Sequence, residues 1–255
     1  RRRMTLAGRT AIITGGARGI GAVYARAFAA EGANVVIADL LDEPGAALAH
    51  DLQGAGASAL FVHTDVTSDA STEQLAARAA ATFGGIDILV NNAALYMALG
   101  QKKPFETLTT EEWDRVLAVN VRGVWHCTKA VVPYMKQRGG GKIINIASVV
   151  AFSGTPGFAH YVASKAAVIG LTRALARELG DHRITVNAVA PGLVANEASR
   201  QLNAEPYLAQ AVGARALKRP MEPDDLVGTV LYLASPASDF VTGQTIVVDG
   251  GAIMD

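Results

Sequence analysis

Short apolar runs that alternate with longer helical segments constrain the fold of this chain more than any other feature. The runs lie at 10 to 14, 34 to 38, 58 to 63, 87 to 91, 142 to 147, 184 to 190 and 245 to 249. Most are apolar at consecutive positions, which is typical of strands that are covered on both faces. A chain that repeats strand, helix and strand with right-handed crossovers builds a doubly wound sheet. We therefore predict an α/β fold with a parallel seven-stranded sheet and helices on both faces.

Length and charge narrow the function classes. The 255 residues are 50% hydrophobic and contain no linker, so we predict a single domain over residues 1–255. The formal net charge is zero, which provides no overall field for nucleic acid or an anionic membrane. No apolar run approaches the ~18 residues of a membrane span. We expect a cytoplasmic protein with neither partner, and we expect Arg1 to Arg3, which precede Met4, to lie outside the fold.

Cysteine and histidine usage indicates neither disulfides nor metal. Cys127 is the single cysteine of the sequence, so no internal disulfide can form and no oxidising compartment is required. The five histidines are scattered, with no pair at helical spacing. We predict that the protein has no metal site.

One helix carries a strong start signal. Thr109 with Glu112 three residues later forms a capping-box pattern. The apolar stripe that follows runs from Trp113 to Val131, and Asn120 falls inside it. A buried asparagine must find hydrogen-bond partners or it costs stability, so Asn120 requires a reason to be there.

The segment "TGGARGIG" (14 to 21) follows the first predicted strand and opens a helix. Gly15, Gly19 and Gly21 allow a tight turn, and the helix N-terminus offers free N–H groups to a pyrophosphate. The spacing is TGxxxGxG and differs from the GxGxxG fingerprint, and glycine-rich turns also occur without a ligand. Its place between a strand and a helix favours a dinucleotide site.

An acidic residue at the end of the second predicted strand indicates which dinucleotide is bound. Asp39 lies 18 residues after Gly21, where a carboxylate can accept hydrogen bonds from ribose hydroxyls and repel a 2′-phosphate. Arg18 is the counter-argument, because a cation in the turn could contact that phosphate. We weigh the fixed like charge more heavily and predict NAD rather than NADP.

The segment "YVASK" (161 to 165) places Tyr161 and Lys165 four residues apart, on one face of a helix. A nearby ammonium group favours phenolate, so we expect Lys165 to lower the pKa of Tyr161 and suit it to acid–base catalysis. A core tyrosine beside a surface lysine is the alternative, and the accompanying motifs argue against it. Ser148 ends the strand "KIINIAS", where its hydroxyl could donate to a carbonyl oxygen.

The order and spacing of these motifs resemble the classical short-chain dehydrogenase/reductase family over nearly the whole chain. The matching pieces are the glycine turn, "DV" at 65 to 66, "NNAA" at 91 to 94, Asn120, Ser148, "YVASK" and "PGLVAN" at 191 to 196. The resemblance implies a Rossmann-like fold, a homotetramer, and catalysis by Asn120, Ser148, Tyr161 and Lys165. It implies cofactor contacts from Gly15, Arg18, Gly19, Ile20, Gly21, Asp39, Asp65, Val66, Asn91, Ala93, Tyr161, Lys165, Pro191, Gly192, Val194 and Asn196.

The same resemblance implies a reaction, and the sequence departs from the family pattern at two positions. Tyr161 would exchange a proton with the substrate while hydride passes between substrate and nicotinamide. Lys165 would also bind the nicotinamide ribose, and Asn120 would link it to solvent through a backbone distortion and a water. Ala94 stands where the family usually has glycine, and Asn196 where it usually has a threonine that contacts the nicotinamide carboxamide.

Three segments are expected to surround the substrate, namely 94 to 99, 149 to 158, and a mobile loop with short helices at 194 to 218. They are mostly apolar and aromatic, with no arginine cluster. We predict substrate contacts from Tyr96, Ser148, Val150, Phe158 and Tyr161, and a mainly hydrophobic secondary alcohol or ketone. The alternatives are an NADP-dependent carbonyl reductase and a non-catalytic NAD(P)-binding regulator.

Overall fold

The seven apolar runs form one parallel sheet. The computed structural model describes residues 6–96 and 99–254, so Arg1 to Arg3 and two positions of the predicted 94 to 99 segment, Met97 and Ala98, lie outside the described residues. The strands are β1 (Thr10–Thr14), β2 (Asn34–Asp39), β3 (Ala59–His63), β4 (Ile88–Asn91), β5 (Gly141–Ile146), β6 (Ile184–Pro191) and β7 (Thr245–Val248). Their order is β3-β2-β1-β4-β5-β6-β7, and every pair is parallel. The predicted fold class is confirmed.

Helices cover both faces of this sheet. Their bounds are α1 (Gly19–Ala30), α2 (Asp42–Gly54), α3 (Asp69–Phe83), α4 (Thr110–Leu117), α5 (Gly123–Arg138), α6 (Val150–Ser153), α7 (Ala159–Leu179), α8 (Glu197–Leu202), α9 (Glu205–Ala214) and α10 (Val227–Ala234). Successive residues of β1 belong to different cores: Ile13 packs with α1, α2 and α10, and Ile12 packs with α3 and α5. Apolar residues on both sides of each strand therefore build two cores, as consecutive hydrophobicity predicts.

The strand order positions the functional motifs. The chain runs outward from β1 to β3 on one side and from β4 to β7 on the other, so the switch point lies between β1 and β4. In open parallel sheets, ligands bind outside the carboxyl ends of strands near such a point. The glycine turn follows β1, "NNAA" begins at the end of β4, Ser148 follows β5, and "PGLVAN" begins at the end of β6.

The predicted helix start at Thr109 is confirmed, but the helix is not regular. The Glu112 N–H donates to Thr109 Oγ1 at 3.2 Å, and the Thr109 N–H donates to Glu112 Oε2 at 2.9 Å. Between α4 and α5 the backbone forms a π-helical turn over Ala118–Arg122, with Asn120 at its centre. π-turns inside helices frequently mark functional sites.

Helices α8 and α9 supply the short helices that we predicted for the 194 to 218 segment. Among the described residues, no helix is both long enough and apolar enough to cross a membrane.

Candidate active site

The glycine turn leaves an open cradle at the start of α1. Gly15 has φ +62°, and a Cβ there would lie 2.8 Å from the Ala93 Cα, so the turn and the end of β4 are in direct backbone contact. A Cβ on Gly21 would collide with the Gly15 carbonyl oxygen. Gly19, with φ +56°, has no heavy atom within 4 Å of its Cβ position and begins α1. These residues fit a diphosphate, because free N–H groups of a helix N-terminus face space that no side chain fills.

Asp39 is held by the backbone around the turn. Its Oδ2 accepts a hydrogen bond from the Ala17 N–H at 3.0 Å, and its Oδ1 accepts one from Leu41 N–H at 3.2 Å. Arg18, the residue before α1, is exposed, and Ile20 is partly buried beside it. The structure thus fixes a carboxylate beside the turn and leaves the arginine at the surface.

Two residues that we did not single out from the sequence fasten β1 to β4. Thr14 Oγ1 accepts hydrogen bonds from the backbone N–H groups of Asn92 and Ala93, both at 3.0 Å. The Asn92 Nδ2 donates to the carbonyl oxygens of Thr14 at 3.0 Å and Gly15 at 3.1 Å. Both residues lie within quoted motifs, Asn92 in "NNAA" and Thr14 at the start of "TGGARGIG", but neither motif indicated that their side chains bond to each other's backbone.

The predicted adenosine contacts occupy different environments. The Asn91 side chain is buried in the sheet, where its Nδ2 donates to Asn145 Oδ1 at 2.9 Å. Asp65 Oδ1 accepts from Thr67 N–H at 2.8 Å and from the Thr67 hydroxyl at 2.7 Å. Val66 is buried against Gly123 of α5. Asn91 is therefore a sheet-organising side chain in this structure, and Asp65 and Val66 shape the loop after β3.

Tyr161, Ser148 and Lys165 are brought together at the carboxyl edge of β5. All three are buried, with 7%, 9% and 3% of their surface exposed. The Ser148 side chain lies close enough to the Tyr161 hydroxyl to lower the pKa of that phenol. The Lys165 Nζ lies 5.7 Å from the Tyr161 ring centroid and donates to the Ile146 carbonyl oxygen at 2.7 Å. Ile146 is another residue that sequence spacing did not indicate, because its backbone and not its side chain makes the contact.

The pKa of Tyr161 differs from the sequence expectation. Burial raises it above the ordinary value, the proximity of Tyr96 adds to that rise, and the hydrogen bond from Ser148 opposes it. Burial also lowers the pKa of Lys165 to about 8. In this structure burial dominates the pKa of Tyr161, and Lys165 is not among the groups that shift it, so the expected lowering by Lys165 stays a prediction.

Asn120 finds the partners that a buried amide requires. It is 1% exposed. Its Oδ1 accepts from the Leu95 N–H at 2.7 Å, and its Nδ2 donates to Ser164 Oγ at 3.1 Å. Asn120 therefore connects the π-turn to α7, which carries Tyr161 and Lys165, and to the segment after β4.

Comparisons with known proteins show which family this chain belongs to. Residues 15–252 match the profile of a family described as enoyl-(acyl carrier protein) reductase. A 3-alpha-(or 20-beta)-hydroxysteroid dehydrogenase of Mycobacterium tuberculosis (strain ATCC 25618 / H37Rv) is 42% identical over 97% of this chain and 90% of its own length. The chain belongs to the short-chain dehydrogenase/reductase family.

Other members show the same extent of similarity. A 3-oxoacyl-[acyl-carrier-protein] reductase of Synechocystis sp. (strain ATCC 27184 / PCC 6803 / Kazusa) is 39% identical over 98% of both chains. The structure of 7 alpha-hydroxysteroid dehydrogenase with NADH and 7-oxo glycochenodeoxycholic acid superposes with a TM-score of 0.93, at 33% identity, over 99% of this chain and 97% of that one. Short-chain dehydrogenases/reductases are oxidoreductases that bind a nicotinamide cofactor. As a member of this family, the chain is an oxidoreductase of this class.

The edge of β6 carries the second departure from the family pattern. Pro191, at its end, accepts from the Val149 N–H at 3.1 Å, and a Cβ on Gly192 would lie 2.7 Å from the Asp249 Cβ. Val194 is buried and pairs with Met221. Asn196 Oδ1 caps α8 by accepting from the Ser199 N–H at 2.9 Å. The residue that replaces the usual threonine of this dehydrogenase/reductase family is therefore engaged in starting a helix.

Tyr96, one of the predicted substrate residues, packs beside Tyr161. Its ring centroid is 5.5 Å from that of Tyr161. Phe158 is buried immediately before α7, and Val150, partly buried, begins α6 two residues after Ser148. These three residues flank Ser148 and Tyr161 in the chain or in space, and we refer to Tyr96, Val150 and Phe158 as the substrate surround.

Proposed function

We propose that this protein is an NAD-dependent oxidoreductase that interconverts a secondary alcohol and a ketone. The observation that carries the proposal is the burial of Ser148, Tyr161 and Lys165 together at the carboxyl edge of β5, with the Lys165 Nζ 5.7 Å from the Tyr161 ring centroid. Two hydroxyls that meet at the carboxyl edge of a parallel sheet can bind one substrate oxygen between them. When it is bound, a nicotinamide dinucleotide supplies or accepts the hydride.

In the reducing direction Tyr161 acts as the general acid. A tyrosine at its ordinary pKa of about 10 is protonated at neutral pH, and burial raises the pKa of Tyr161 further, so the phenol has a proton to donate to the carbonyl oxygen. The Ser148 hydroxyl donates a hydrogen bond to the same oxygen and stabilises the negative charge that develops there. In the oxidising direction Tyr161 must first ionise, and the Ser148 hydrogen bond is the contact that lowers its pKa.

Lys165 and Asn120 have supporting roles in this proposal. The Lys165 ammonium provides positive charge next to Tyr161 and a donor for ribose hydroxyls, and it is already oriented by its bond to the Ile146 carbonyl. Asn120 holds the π-turn against Ser164, one residue before Lys165 in α7. A π-turn displaces a backbone carbonyl from the regular ladder, so it offers an acceptor for a water that relays protons from Lys165 to solvent.

The preference for NAD rests on Asp39. Its carboxylate is fixed by two backbone N–H groups, so it cannot move away without losing both bonds. A 2′-phosphate placed there would meet a like charge, whereas ribose hydroxyls would meet an acceptor. Arg18 is exposed, and within residues 6–96 and 99–254 its side chain makes no hydrogen bond that would hold it toward such a phosphate.

The substrate we propose is mainly hydrophobic. Tyr96 and Phe158 surround the catalytic pair, and helices α8 and α9 of the 194 to 218 segment extend this surround. Two of the similar proteins are named as hydroxysteroid dehydrogenases, which is consistent with an extended apolar substrate. We expect uncharged aryl and steroid ketones to react in preference to 2-oxo acids.

The decisive experiment replaces Tyr161 with Phe, which keeps the ring and removes the titrating group. We expect reduction of an aryl ketone by NADH to fall by about 100-fold or more, since general acid catalysis contributes on that order. NADH binding, measured by fluorescence titration, should persist, and Tyr134→Phe in α5 serves as the matched control. Near wild-type turnover by Tyr161→Phe would overturn the mechanism. NADH binding without turnover of any alcohol or ketone by the wild type would favour the regulatory alternative.

We also expect a cytoplasmic homotetramer. Trp113 of α4 and Trp125 of α5 are 37% and 46% exposed, which is unusual for side chains of this size and suits a subunit contact. Light scattering coupled to size-exclusion chromatography measures the assembly directly, and a monomer would contradict the expectation.

A further inference from the structure

Lys102 has no carboxylate partner among the described residues and lies against the aromatic rings of Phe158 and Tyr207. Its Nζ lies 3.5 Å from the centroid of the Tyr207 ring and 5.7 Å from that of Phe158. The neighbouring Lys103 differs, because it is bonded to both carboxylate oxygens of Glu112 at 2.6 and 2.7 Å. Within residues 6–96 and 99–254, Lys102 makes no ion pair of this kind.

The backbone at Lys102 is held in place by the segment before α7. A Cβ on Gly157, which has φ +84°, would lie 2.7 Å from the Lys102 Cβ, so only glycine allows this approach. The Lys103 N–H also donates to the Gly157 carbonyl oxygen at 3.3 Å. The position of Lys102 relative to Phe158 and Tyr161 is therefore set by packing and does not depend on the side chain alone.

A row of aromatic rings connects Lys102 to the catalytic hydroxyl. Tyr207 of α9 lies under the ammonium group and close enough to Tyr96 to interact with it electrostatically. Tyr96 in turn contacts the ring of Tyr161, and its hydroxyl is 3.5 Å from Asn203 Nδ2. The row begins at the proton donor and ends at a positive charge, with apolar ring surface between.

We propose that Lys102 binds an anionic group at the far end of an amphipathic ketone or alcohol substrate. This inference rests on the proposed function and adds a charge to the substrate class. An ammonium group has three N–H donors, and one aromatic face does not satisfy them all, so a carboxylate can bind from the exposed side. The Tyr96 and Tyr207 rings separate Lys102 from Tyr161, so the anion lies an apolar body away from the reacting carbon. A 2-oxo acid, whose carboxylate adjoins its carbonyl, does not meet this requirement.

The test compares two probes that differ in charge alone, an acetophenone with a para butanoate tail and its methyl ester. We expect Lys102→Met to reduce the acid-to-ester ratio of kcat/KM by about two- to five-fold, as for one partly exposed ion pair. Methionine keeps a flexible side chain on the aromatic rings, so the row of rings is retained. Lys102→Arg, which keeps the charge, should preserve most of the ratio.

The matched control is Lys103→Met. It removes the same positive charge one residue away, but Lys103 is already paired with Glu112. Its acid-to-ester ratio should equal that of the wild type. An unchanged ratio in Lys102→Met, or an equal fall in Lys103→Met, would overturn the proposal even though both probes are reduced. If the wild type reduces neither probe, the ketone reductase function itself fails. Calorimetric binding of the two probes to the NADH complex then still reads the same ratio and decides on Lys102.

Discussion

The Lys165 ammonium nitrogen lies 5.7 Å from the centroid of the Tyr161 ring, and both side chains are buried. Burial shifts the two groups in opposite directions: the pKa of Tyr161 rises and the pKa of Lys165 falls to about 8. Both shifts favour the uncharged forms, since a low-dielectric surround penalises phenolate and ammonium alike. If Tyr161 and Lys165 act as we propose, these shifts favour Tyr161 as a proton donor, and the reducing direction is the one that needs no prior ionisation of the phenol.

Ser148→Ala should slow the reaction and move its pH dependence. Loss of one donor to the developing oxyanion costs on the order of 100-fold in kcat. Because the Ser148 hydrogen bond lowers the pKa of Tyr161, its removal raises that pKa further, and the pH of half-maximal alcohol oxidation should increase. Steady-state rates across a pH series measure both effects. Ser153→Ala, an exposed serine of α6, is the control, and a variant profile that coincides with the wild type would contradict the prediction.

Lys165→Met should lose activity and yet stabilise the fold below pH 8. The pKa of Lys165 is about 8 in the native state and has its ordinary, higher value in the unfolded chain. Below pH 8 the buried lysine is therefore charged in the native state at a cost in free energy that the unfolded chain does not have. The variant removes this cost but also loses the hydrogen bond to the Ile146 carbonyl. The net gain in the free energy of unfolding should be on the order of 1 to 2 kcal/mol at neutral pH. The gain should shrink as pH rises above 8, because unfolding the wild type then takes up a proton. Urea denaturation at several pH values tests this, and a gain that grows with pH would refute it.

Asp39→Ser should relax the cofactor preference. Removing the fixed negative charge is expected to raise the NADP-to-NAD ratio of kcat/KM by roughly 10- to 100-fold, equivalent to about 1.4 to 2.8 kcal/mol. Asp42→Ser is the control, because it removes the same charge three residues away. The Asp42 carboxylate is exposed and bonded to His63 at 2.8 Å. Equal ratios in the two variants would show that general electrostatics, and not the position of Asp39, sets the preference.

Tyr24→Phe should stabilise the protein, with a gain that grows in alkali. Tyr24 is fully buried in α1, and its hydroxyl has no hydrogen-bond partner among the described residues. Removing an unsatisfied buried hydroxyl is expected to add up to about 1 kcal/mol. Burial raises the pKa of Tyr24, so above pH ~10 the unfolded chain releases a proton that the native state keeps, and wild-type stability falls. Thermal unfolding at rising pH should separate Tyr24→Phe from the control Tyr134→Phe, and a destabilised Tyr24→Phe would indicate a partner for that hydroxyl.

Much of the site could be predicted from residues that are neighbours in sequence. Tyr161 and Lys165 share a helix face, Thr109 and Glu112 form the predicted cap, and Ser148 directly follows a strand, because each depends on short-range geometry. The contacts that the sequence did not indicate join distant elements through backbone atoms or unremarkable side chains. Thr14 bonding to Asn92 and Lys165 bonding to Ile146 are examples, and neither carries a local pattern.

Local sequence patterns were enough to assign the strands, since a strand buried on both faces must be apolar at consecutive positions, and the predicted limits agree with the observed ones to within one residue. They were also enough to place a phenol and an ammonium group on one helix face. The order β3-β2-β1-β4-β5-β6-β7, the engagement of Asn196 as a helix cap and the direction of the Tyr161 pKa shift depend on long-range packing and could be read only from the folded chain. The reason is physical: a local pattern fixes which groups are adjacent, but desolvation sums over every element packed around them.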